Sequence, residues 1–205
     1  MPIFLLIRHA ENDYVKKGRL PGRKPDIHLN KKGLAQAQAL AEKLKDAPIK
    51  AIYSSPLERA IETAEPLANA LGLQVIPRPG LIEADVGEWT DRTVKSLGRL
   101  KEWRRVQHSP SLMRFPGGES FLETQYRICQ EIETLRALHD QQDLIACVSH
   151  ADPIKMAVAY YLGMPLDLFQ RLSVAPASIT ALMIGDMGSR LLALNYDFSL
   201  NLAKP

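Results

Sequence analysis

Arginine and histidine side chains follow three of the short apolar runs that the sequence predicts as strands. Arg8 and His9 end the first run, and His150 ends a later one. Arg59 lies one turn into the helix expected after a third run. The carboxyl ends of the strands of an open α/β sheet meet at one edge, where ligands bind. The order of the elements therefore predicts that these four side chains converge on one pocket.

The four side chains suit the binding of a phosphate group. Arginine offers a planar fork of N–H donors that matches phosphate oxygens and stays charged, and helix N-termini add backbone N–H groups. A histidine that faces bound phosphate can donate a hydrogen bond or act as a nucleophile. Taken singly, each residue has an ordinary alternative, since a strand-end arginine can be solvated and a buried histidine can bond a carbonyl. Their joint placement favours the phosphate site.

A carboxylate candidate stands in the stretch GLIEADVGEW, residues 80–89. Glu83 follows two apolar residues, and a partly buried carboxyl group in apolar surroundings has a raised pKa and can act as a general acid. The alternative is a loop carboxylate that pairs with an arginine. Asp85 and Glu88 are weaker candidates for the same role.

The sequence predicts neither a metal site nor a bound cofactor. His28, His108 and His139 are scattered and lack the spacing of metal ligands. The chain also has no glycine-rich phosphate loop and no dinucleotide fingerprint. A hydrolase that uses its own side chains fits these features better than a nucleotide-dependent kinase does.

The composition is that of a globular protein, with 46% hydrophobic and 24% charged residues. The net charge of +3 comes without a dense block of Lys or Arg, which argues against nucleic-acid binding. The apolar start is too short for a signal peptide, and no run approaches the length of a membrane span. We therefore expect a cytoplasmic protein in which Cys129 and Cys147 are buried free thiols. The sequence indicates no oligomeric state.

Apolar runs and helical spacing alternate along the chain. Strands are predicted at residues 3–7, 50–54, 74–77, 143–149, 178–184 and 190–196. Helices are predicted from residue 30 onward and at residues 55–71, 94–106, 120–138 and 153–162. This alternation indicates an α/β fold with a mainly parallel central sheet and helices on both faces. Residues 1–205 are expected to form a single domain, in which residues 78–118 are an excursion that caps the site.

Local patterns give more detailed expectations. The tetrapeptide SPLE predicts a capping box, with Ser55 as the N-cap and Glu58 closing it. Residues 10–30 are polar and contain several glycines and prolines, so they are predicted as a long loop. In the helix at 120–138, spacing predicts an apolar face formed by Leu122, Tyr126, Cys129, Ile132 and Leu135. In the helix after residue 30, it predicts a face formed by Leu34, Ala37, Ala41 and Leu44.

Five segments resemble those of the histidine phosphatase superfamily, also called phosphoglycerate mutase-like. LIRHAEN resembles the Arg-His-Gly signature, and SSPLERAIETAEPLA resembles the segment SSPLxRAxxTA. LIEADVGEWTDRT resembles LxExxxGxWxGxT, VSHADPIKM resembles the segment of the second histidine, and LNKKGLAQAQAL resembles the first helix. FPGGESF and YYLGMPLDLFQRL resemble a bacterial branch often described as phosphomutases. The matches run from residue 3 to about residue 163.

The resemblance implies the family's three-layer sandwich and a set of residue roles. His9 would be the nucleophile that accepts the phosphoryl group, and Glu83 would protonate the leaving oxygen. His150 would help to stabilise the developing charge. The resemblance assigns phosphate binding to Arg8, Arg59, His150, Asn12 and Ala151. Positions that differ from the family pattern are Ala10, Ala151 and Asp91, each in place of a glycine, and Val15, in place of an asparagine.

On this basis the sequence predicts a metal-independent phosphomonoester hydrolase that acts through a phosphohistidine on a small phosphorylated metabolite. A phosphomutase is the main alternative, and a non-catalytic phospholigand-binding protein with the same fold is a third. A mutase has to shield its phosphoenzyme from water, and the excursion at 78–118 is modest for that purpose.

Overall fold

The computed structural model describes residues 1–197, so the end of the predicted domain, residues 198–205, lies outside the described part. The strands are β1 (Ile3–Arg8), β2 (Ile49–Ser54), β3 (Val75–Pro77), β4 (Leu144–Ser149), β5 (Ile179–Gly185) and β6 (Gly188–Tyr196). The α-helices are α1 (Asp13–Lys16), α2 (Lys31–Leu44), α3 (Glu58–Leu71), α4 (Val94–Leu97), α5 (Trp103–His108), α6 (Phe121–Arg136) and α7 (Ala151–Tyr161). Short 3₁₀ turns lie between several of these elements.

The strands of the described residues form one sheet in the order β3-β2-β4-β1-β5-β6. The pairs β2–β3, β2–β4 and β1–β4 are parallel, and β5 runs antiparallel to both of its neighbours. In the central pair, Arg8 stands opposite Ser149, so β1 and β4 end at the same level. The prediction of a mainly parallel sheet is confirmed, and this register fixes the edge at which the candidate residues emerge.

The sheet is buried on both faces because alternate residues of each central strand serve a different layer. Phe4 and Leu6 of β1 belong to a core that α6 and α7 cover. Leu5 and Ile7 of the same strand belong to a second core, covered by α2 and α3. The predicted three-layer arrangement is therefore present. Cys147 on β4 and Cys129 on α6 are buried free thiols, as the sequence predicts.

Residues 78–118 form an excursion of short helices and turns with an aromatic core of its own. Trp89 packs edge-on against Phe115, with ring centroids 5.4 Å apart, and the contact continues through Phe121 of α6. The same apolar cluster includes Met156 of α7 and Phe169, which lies beyond α7. The excursion is thus anchored on the α6–α7 layer of the sandwich.

The predicted single helix at 94–106 is wrong, because the chain forms α4 and α5 with a turn between them. Leu97 and Val106 are both buried in the core of the excursion. Nine residues separate them, which is two and a half helical turns, so an unbroken helix would place them on opposite faces. Gly98, a poor helix former, follows α4 and allows the chain to turn.

Two predicted helix faces are also wrong in part. Leu122 and Tyr126 of α6 are 52% and 70% exposed, and Phe121 takes the buried position instead. Residues 121 and 122 are about 100° apart around the helix, so burying the larger aromatic ring turns Leu122 to solvent. Leu34 of α2 is likewise exposed, because Gly33 faces inward, where a Cβ atom would meet the Glu11 carbonyl oxygen at 1.9 Å.

The predicted loop at 10–30 contains α1 and is strapped to the excursion. The Leu20 N–H donates to the Arg92 carbonyl (2.9 Å), and the Asp91 N–H donates to the Leu20 carbonyl (2.8 Å). Asp91 has a φ of 66°, in the left-handed region that favours glycine, which accounts for the glycine in the family pattern. Its carboxylate compensates by accepting hydrogen bonds from Tyr14 and from Lys24 (2.6 Å). These hydrogen bonds therefore join the two segments to each other.

Candidate active site

His9 and His150 lie side by side because they follow neighbouring parallel strands that end at the same level. The His9 N–H donates to the Ser149 carbonyl at 2.9 Å, which extends the β1–β4 pairing past the ends of the strands. The two imidazole centroids are 5.1 Å apart, with an angle of 61° between the ring planes. The structure thus brings together two residues that are far apart in the sequence.

The protonation state of His9 follows from its contacts. Its Nδ1 lies 2.8 Å from the Ala10 carbonyl oxygen. A carbonyl oxygen only accepts hydrogen bonds, so Nδ1 carries the proton and Nε2 keeps its lone pair. Burial, and then the charges of Arg59 and Arg8, hold the pKa of His9 well below its ordinary value. His9 is therefore a neutral imidazole with an available Nε2, as a nucleophile requires.

Arg59 and Arg8 supply buried N–H donors. Arg59 is fully buried, and its Nη2 donates to the Gly22 carbonyl oxygen at 2.8 Å. Arg8 donates from Nη1 to the Val174 carbonyl oxygen at 2.7 Å. Within residues 1–197, Nε and Nη1 of Arg59 and Nε of Arg8 have no hydrogen-bond partner. A buried cation with free donors is costly unless an anion faces it, so this arrangement fits a bound phosphate group.

Glu83 brings a carboxyl group to the same place. One of its oxygens, Oε2, lies 3.8 Å from Nδ1 of His150, and the other, Oε1, accepts from the Ala84 N–H at 2.9 Å. Burial raises the pKa of Glu83 to about 7, and the nearby charge of Asp152 adds to the effect. At neutral pH the group exchanges a proton readily, so Glu83 is suited to general acid and base work.

Two arginines fix the loop that carries Glu83. Arg127 of α6 donates from Nη1 to the carbonyl oxygens of Gly80 (2.9 Å) and Ile82 (2.8 Å), and from Nη2 to that of Glu83 (3.3 Å). Arg23, from the strapped loop, also donates to the Glu83 carbonyl oxygen, at 2.9 Å. The backbone of Glu83 is therefore held by hydrogen bonds from α6 and from the loop at 10–30.

Glu119 holds the two arginines together. Its carboxylate accepts from Arg127 at 3.0 Å and from Arg23, so one acidic side chain bridges α6 and the strapped loop. Burial acts to raise the pKa of Glu119, but the hydrogen bond and charge of Arg127, with hydrogen bonds from Thr124 and the Asp85 N–H, lower it below its ordinary value. We name Arg127, Arg23 and Glu119 the acid-loop clamp. Arg127 and Glu119 were not predicted from the sequence as site residues, since neither lies in a segment that follows a strand.

Ser55 belongs to this cluster, and its predicted role as a helix N-cap is wrong. The Ser55 N–H donates to the Val148 carbonyl at 2.8 Å, which continues the β2–β4 pairing. Helix α3 begins only at Glu58, after Leu57, with no side-chain cap. The Ser55 hydroxyl oxygen instead lies 2.8 Å from Nε2 of His150. The sequence feature that could have identified Ser55 as a site residue is its position directly after β2, at the sheet edge where the other candidates lie.

The remaining candidates have simpler surroundings. Asn12 is fully buried and caps α1, because its Oδ1 accepts from the Val15 N–H at 2.9 Å, while its Nδ2 has no partner in the described part of the chain. Ala151 is the first residue of α7, where a backbone N–H has no acceptor within the helix. Neither Ala10 nor Ala151 has a positive φ, so both methyl groups are accommodated without strain. Asp85 stabilises a turn by accepting from the Gly87 N–H at 2.9 Å.

The chain is similar to known proteins in sequence and in fold. A family model described as "Histidine phosphatase superfamily (branch 1)" matches residues 4–197. Phosphoserine phosphatase 1 of Hydrogenobacter thermophilus is 32% identical over 193 residues, which cover 93% of this chain and 90% of that protein. The 2,3-bisphosphoglycerate-dependent phosphoglycerate mutase of Thermoplasma acidophilum is 29% identical over 192 residues, covering 89% and 87%.

The structural match is equally broad. A crystal structure of phosphoserine phosphatase from Entamoeba histolytica, in complex with 3-phosphoglyceric acid, has a TM-score of 0.87 and 26% identity. The match covers 97% of this chain and 98% of that one. Among residues 1–197, no helix has the length and apolar character needed to cross a membrane.

Proposed function

The chain belongs to the histidine phosphatase superfamily and is an enzyme of its phosphatase and phosphomutase type, and from this premise we propose that it is a metal-independent phosphomonoester hydrolase. The observation that carries the proposal is the position of a neutral His9 beside free donors of Arg8 and Arg59. A nucleophile and an anion-binding set then share one buried site. Phosphoryl transfer depends chiefly on such positioning and charge stabilisation.

In the first step, Nε2 of His9 attacks the phosphorus atom of the bound monoester. The bond between phosphorus and the leaving oxygen breaks, and a phosphohistidine forms. Glu83 has a pKa of about 7, and its protonated form gives its proton to the leaving oxygen, so the product departs as an alcohol. Arg8 and Arg59 hold the equatorial phosphate oxygens, on which negative charge is spread.

In the second step, water attacks the phosphohistidine and the nitrogen–phosphorus bond breaks. The Glu83 carboxylate, which lost its proton in the first step, takes a proton from this water. Inorganic phosphate leaves and His9 regains its neutral form. Two displacements at one site thus replace a single difficult one. Asn12 and Ala151 add an amide and a backbone N–H to the phosphate-binding set.

The proposed substrate is a small phosphorylated metabolite. His9 is 2% exposed and His150 is fully buried, so the reacting phosphate has to enter a recessed site. The names of the relatives support the same class, because a phosphoserine phosphatase and a complex with 3-phosphoglyceric acid are among them.

A phosphoglycerate mutase-like activity is the second candidate. The match to the Thermoplasma acidophilum mutase favours it, and so do the hydrogen bonds that join the loop at 10–30 to the excursion through Leu20 and Asp91. A mutase returns the phosphoryl group to the organic product before water reaches it. Incubation with a phosphoglycerate separates the two activities, because hydrolysis releases inorganic phosphate and mutase action yields the isomer.

The proposal is tested by phosphate release from an aryl phosphate and from a panel of phosphorylated metabolites. Wild type is compared with His9→Ala and, as a matched control, with His28→Ala, whose imidazole is solvent-exposed and bonds Glu62. We expect turnover by wild type and by His28→Ala without added metal, and loss of about 10³-fold or more for His9→Ala. Equal turnover by His9→Ala and wild type would contradict the nucleophile assignment.

A further inference from the structure

We propose that Ser55 is a positioning residue that holds His150 in the tautomer with its proton on Nδ1, and so aims an N–H donor at the transferring phosphoryl group. The inference rests on the proposed function, since it gives that donor a phosphate to meet. It goes beyond the resemblance, which assigns no role to Ser55. The contact that carries it is the 2.8 Å approach of the Ser55 hydroxyl oxygen to Nε2 of His150.

The direction of this hydrogen bond follows from counting donors and acceptors. The Leu57 N–H already donates to the Ser55 oxygen, at 3.4 Å. If Nε2 of His150 also donated, the Ser55 hydroxyl proton would be buried without an acceptor. Within residues 1–197, Nε2 of His150 is the atom in hydrogen-bonding contact with this hydroxyl that could accept its proton. A buried donor without a partner costs about 1–3 kcal/mol. The hydroxyl therefore donates to Nε2.

A neutral imidazole has one N–H, so the acceptor role of Nε2 sends the proton to Nδ1. His150 is neutral because burial, followed by the charges of Arg59, His9 and Arg8, holds its pKa well below the ordinary value. Nδ1 is buried and has no hydrogen-bond partner in the described chain. It lies 3.8 Å from Oε2 of Glu83, on the side of the ring where the proposed acid stands.

The tautomer decides what the phosphoryl group meets. With the proton on Nδ1, His150 offers a hydrogen bond to oxygen atoms that gain negative charge during transfer. With the proton on Nε2, a lone pair would face the same oxygen atoms and repel them. Preorganised donors aimed at developing charge are among the largest contributions to catalysis.

Ser55 is itself rigid. It is fully buried, and its N–H donates to the Val148 carbonyl at 2.8 Å. This bond joins it to β4, the strand after which His150 follows. Ser55 and His150 are therefore fixed to neighbouring strands of one sheet, so their contact needs no rearrangement when substrate binds.

The test combines kinetics with the spectroscopic signature of the imidazole nitrogens. Ser55→Ala removes the hydroxyl. Ser54→Ala is the matched control, since Ser54 is an adjacent buried serine whose hydroxyl donates to the Ser55 carbonyl at 2.9 Å, so the change leaves the hydroxyl that reaches His150 in place. We expect Ser55→Ala to lower kcat about 10- to 100-fold, because a share of His150 adopts the wrong tautomer, with a much smaller change in KM. Ser55→Thr, which keeps the hydroxyl, should recover much of the loss. Ser54→Ala should stay close to wild type.

Nitrogen-15 spectra of the histidines read the tautomer directly, with the His150 signals assigned by their loss in His150→Gln. Wild type should show a protonated Nδ1 and an unprotonated Nε2 for His150. A protonated Nε2 in wild type would overturn the proposal, whether or not Ser55→Ala folds. Wild-type kcat in folded Ser55→Ala would overturn it as well. If no phosphomonoester is turned over, the proposed function fails, while the spectra still decide the tautomer.

Discussion

The imidazoles of His9 and His150 approach to a centroid separation of 5.1 Å although β1 and β4, which carry them, are far apart in the sequence. The pairing Arg8–Ser149 ends both strands at one level, so the two rings have to meet above the sheet edge. Arg59 reaches the same place from α3, which follows the next strand, β2. The site is thus a consequence of strand order, and its chemistry depends on three adjacent strand ends.

Arg59 is expected to lower the stability of the ligand-free protein while making phosphate binding possible. It is fully buried, with two nitrogen atoms that have no partner among residues 1–197. Replacing a buried ion pair by apolar side chains of similar volume is often neutral or stabilises a protein by about 1–4 kcal/mol, and a buried charge without a partner is costlier still. Arg59→Met should therefore raise Tm, by about 2–4 °C for each kcal/mol gained, and should abolish turnover.

Thermal unfolding with and without orthophosphate measures both effects. Orthophosphate at about 100 times its Kd should stabilise wild type by roughly 2.7 kcal/mol, and it should leave the Tm of Arg59→Met unchanged. Arg114→Met is the control, since Arg114 is an exposed arginine paired with Glu123. A lower Tm for Arg59→Met, together with an undiminished shift in phosphate, would show that Arg59 does not face the anion.

The pH dependence of kcat/KM should report the titration of Glu83 and of His9. Glu83 must be protonated for the first step, and its pKa of about 7 places the alkaline loss of activity near that pH. His9 must be neutral for the attack. Because its pKa is held well below the ordinary histidine value, activity should persist at pH values below the pKa of a free imidazole. The profile is therefore bell-shaped, with its acid limb displaced downward.

Glu83→Gln removes the proton donor and provides the check. The alkaline limb should disappear, and kcat/KM should fall about 10²- to 10⁴-fold for alkyl phosphates. The fall should be much smaller for an activated aryl phosphate, whose leaving oxygen needs no proton. Glu88→Gln, in the same loop, is the matched control. An unchanged alkaline limb in Glu83→Gln would assign the titration to another group.

The acid-loop clamp should affect catalysis without touching the substrate. Arg127→Met leaves the carbonyl oxygens of Gly80 and Ile82 without this donor, so the loop that carries Glu83 should lose its fixed position. We expect kcat to fall about tenfold, since a misplaced catalytic group is costly, with a smaller change in KM and a shifted alkaline limb. Arg127→Lys should rescue little, because one ammonium group cannot span these carbonyls.

Arg78→Met is the control for this change. Arg78 also pairs with a carboxylate of α6, that of Glu131, at 2.6 Å, but within residues 1–197 its side chain donates no hydrogen bond to the loop that carries Glu83. The Arg78→Met variant should be less stable than wild type, but the pH profile of its kcat/KM should be unchanged. A pH profile in Arg127→Met that matches wild type would reduce the clamp to a purely structural feature.

Much of the fold could be predicted because its central strands, β1 and β4, are buried on both faces. A run such as residues 3–7 has few alternatives in a globular protein, and chain order then gives the sheet edge at which Arg8, His9 and His150 emerge. The geometry agrees with that expectation. The roles of these residues stay predictions until they are tested by substitution.

Other features could not be read from local patterns. SPLE has the form of a capping box, but pairing with β4 keeps Ser55 in the sheet, so its hydroxyl reaches His150 instead of a helix N-terminus. The break between α4 and α5 depends on two residues that must face the same core. Arg127 and Glu119 meet the acid loop only through the packing of α6. In each case a contact distant in sequence overrides the local signal.

The most direct test of the account is rapid quenching of the wild-type enzyme during turnover of a phosphomonoester, followed by mass spectrometry of the peptide that contains His9. We expect a phosphoryl group on Nε2 of His9, formed as fast as the leaving alcohol appears and lost as inorganic phosphate is released. The adduct should be absent in His9→Ala. Steady turnover by wild type with no phosphohistidine at any time, or with the phosphoryl group on another residue, would contradict the account.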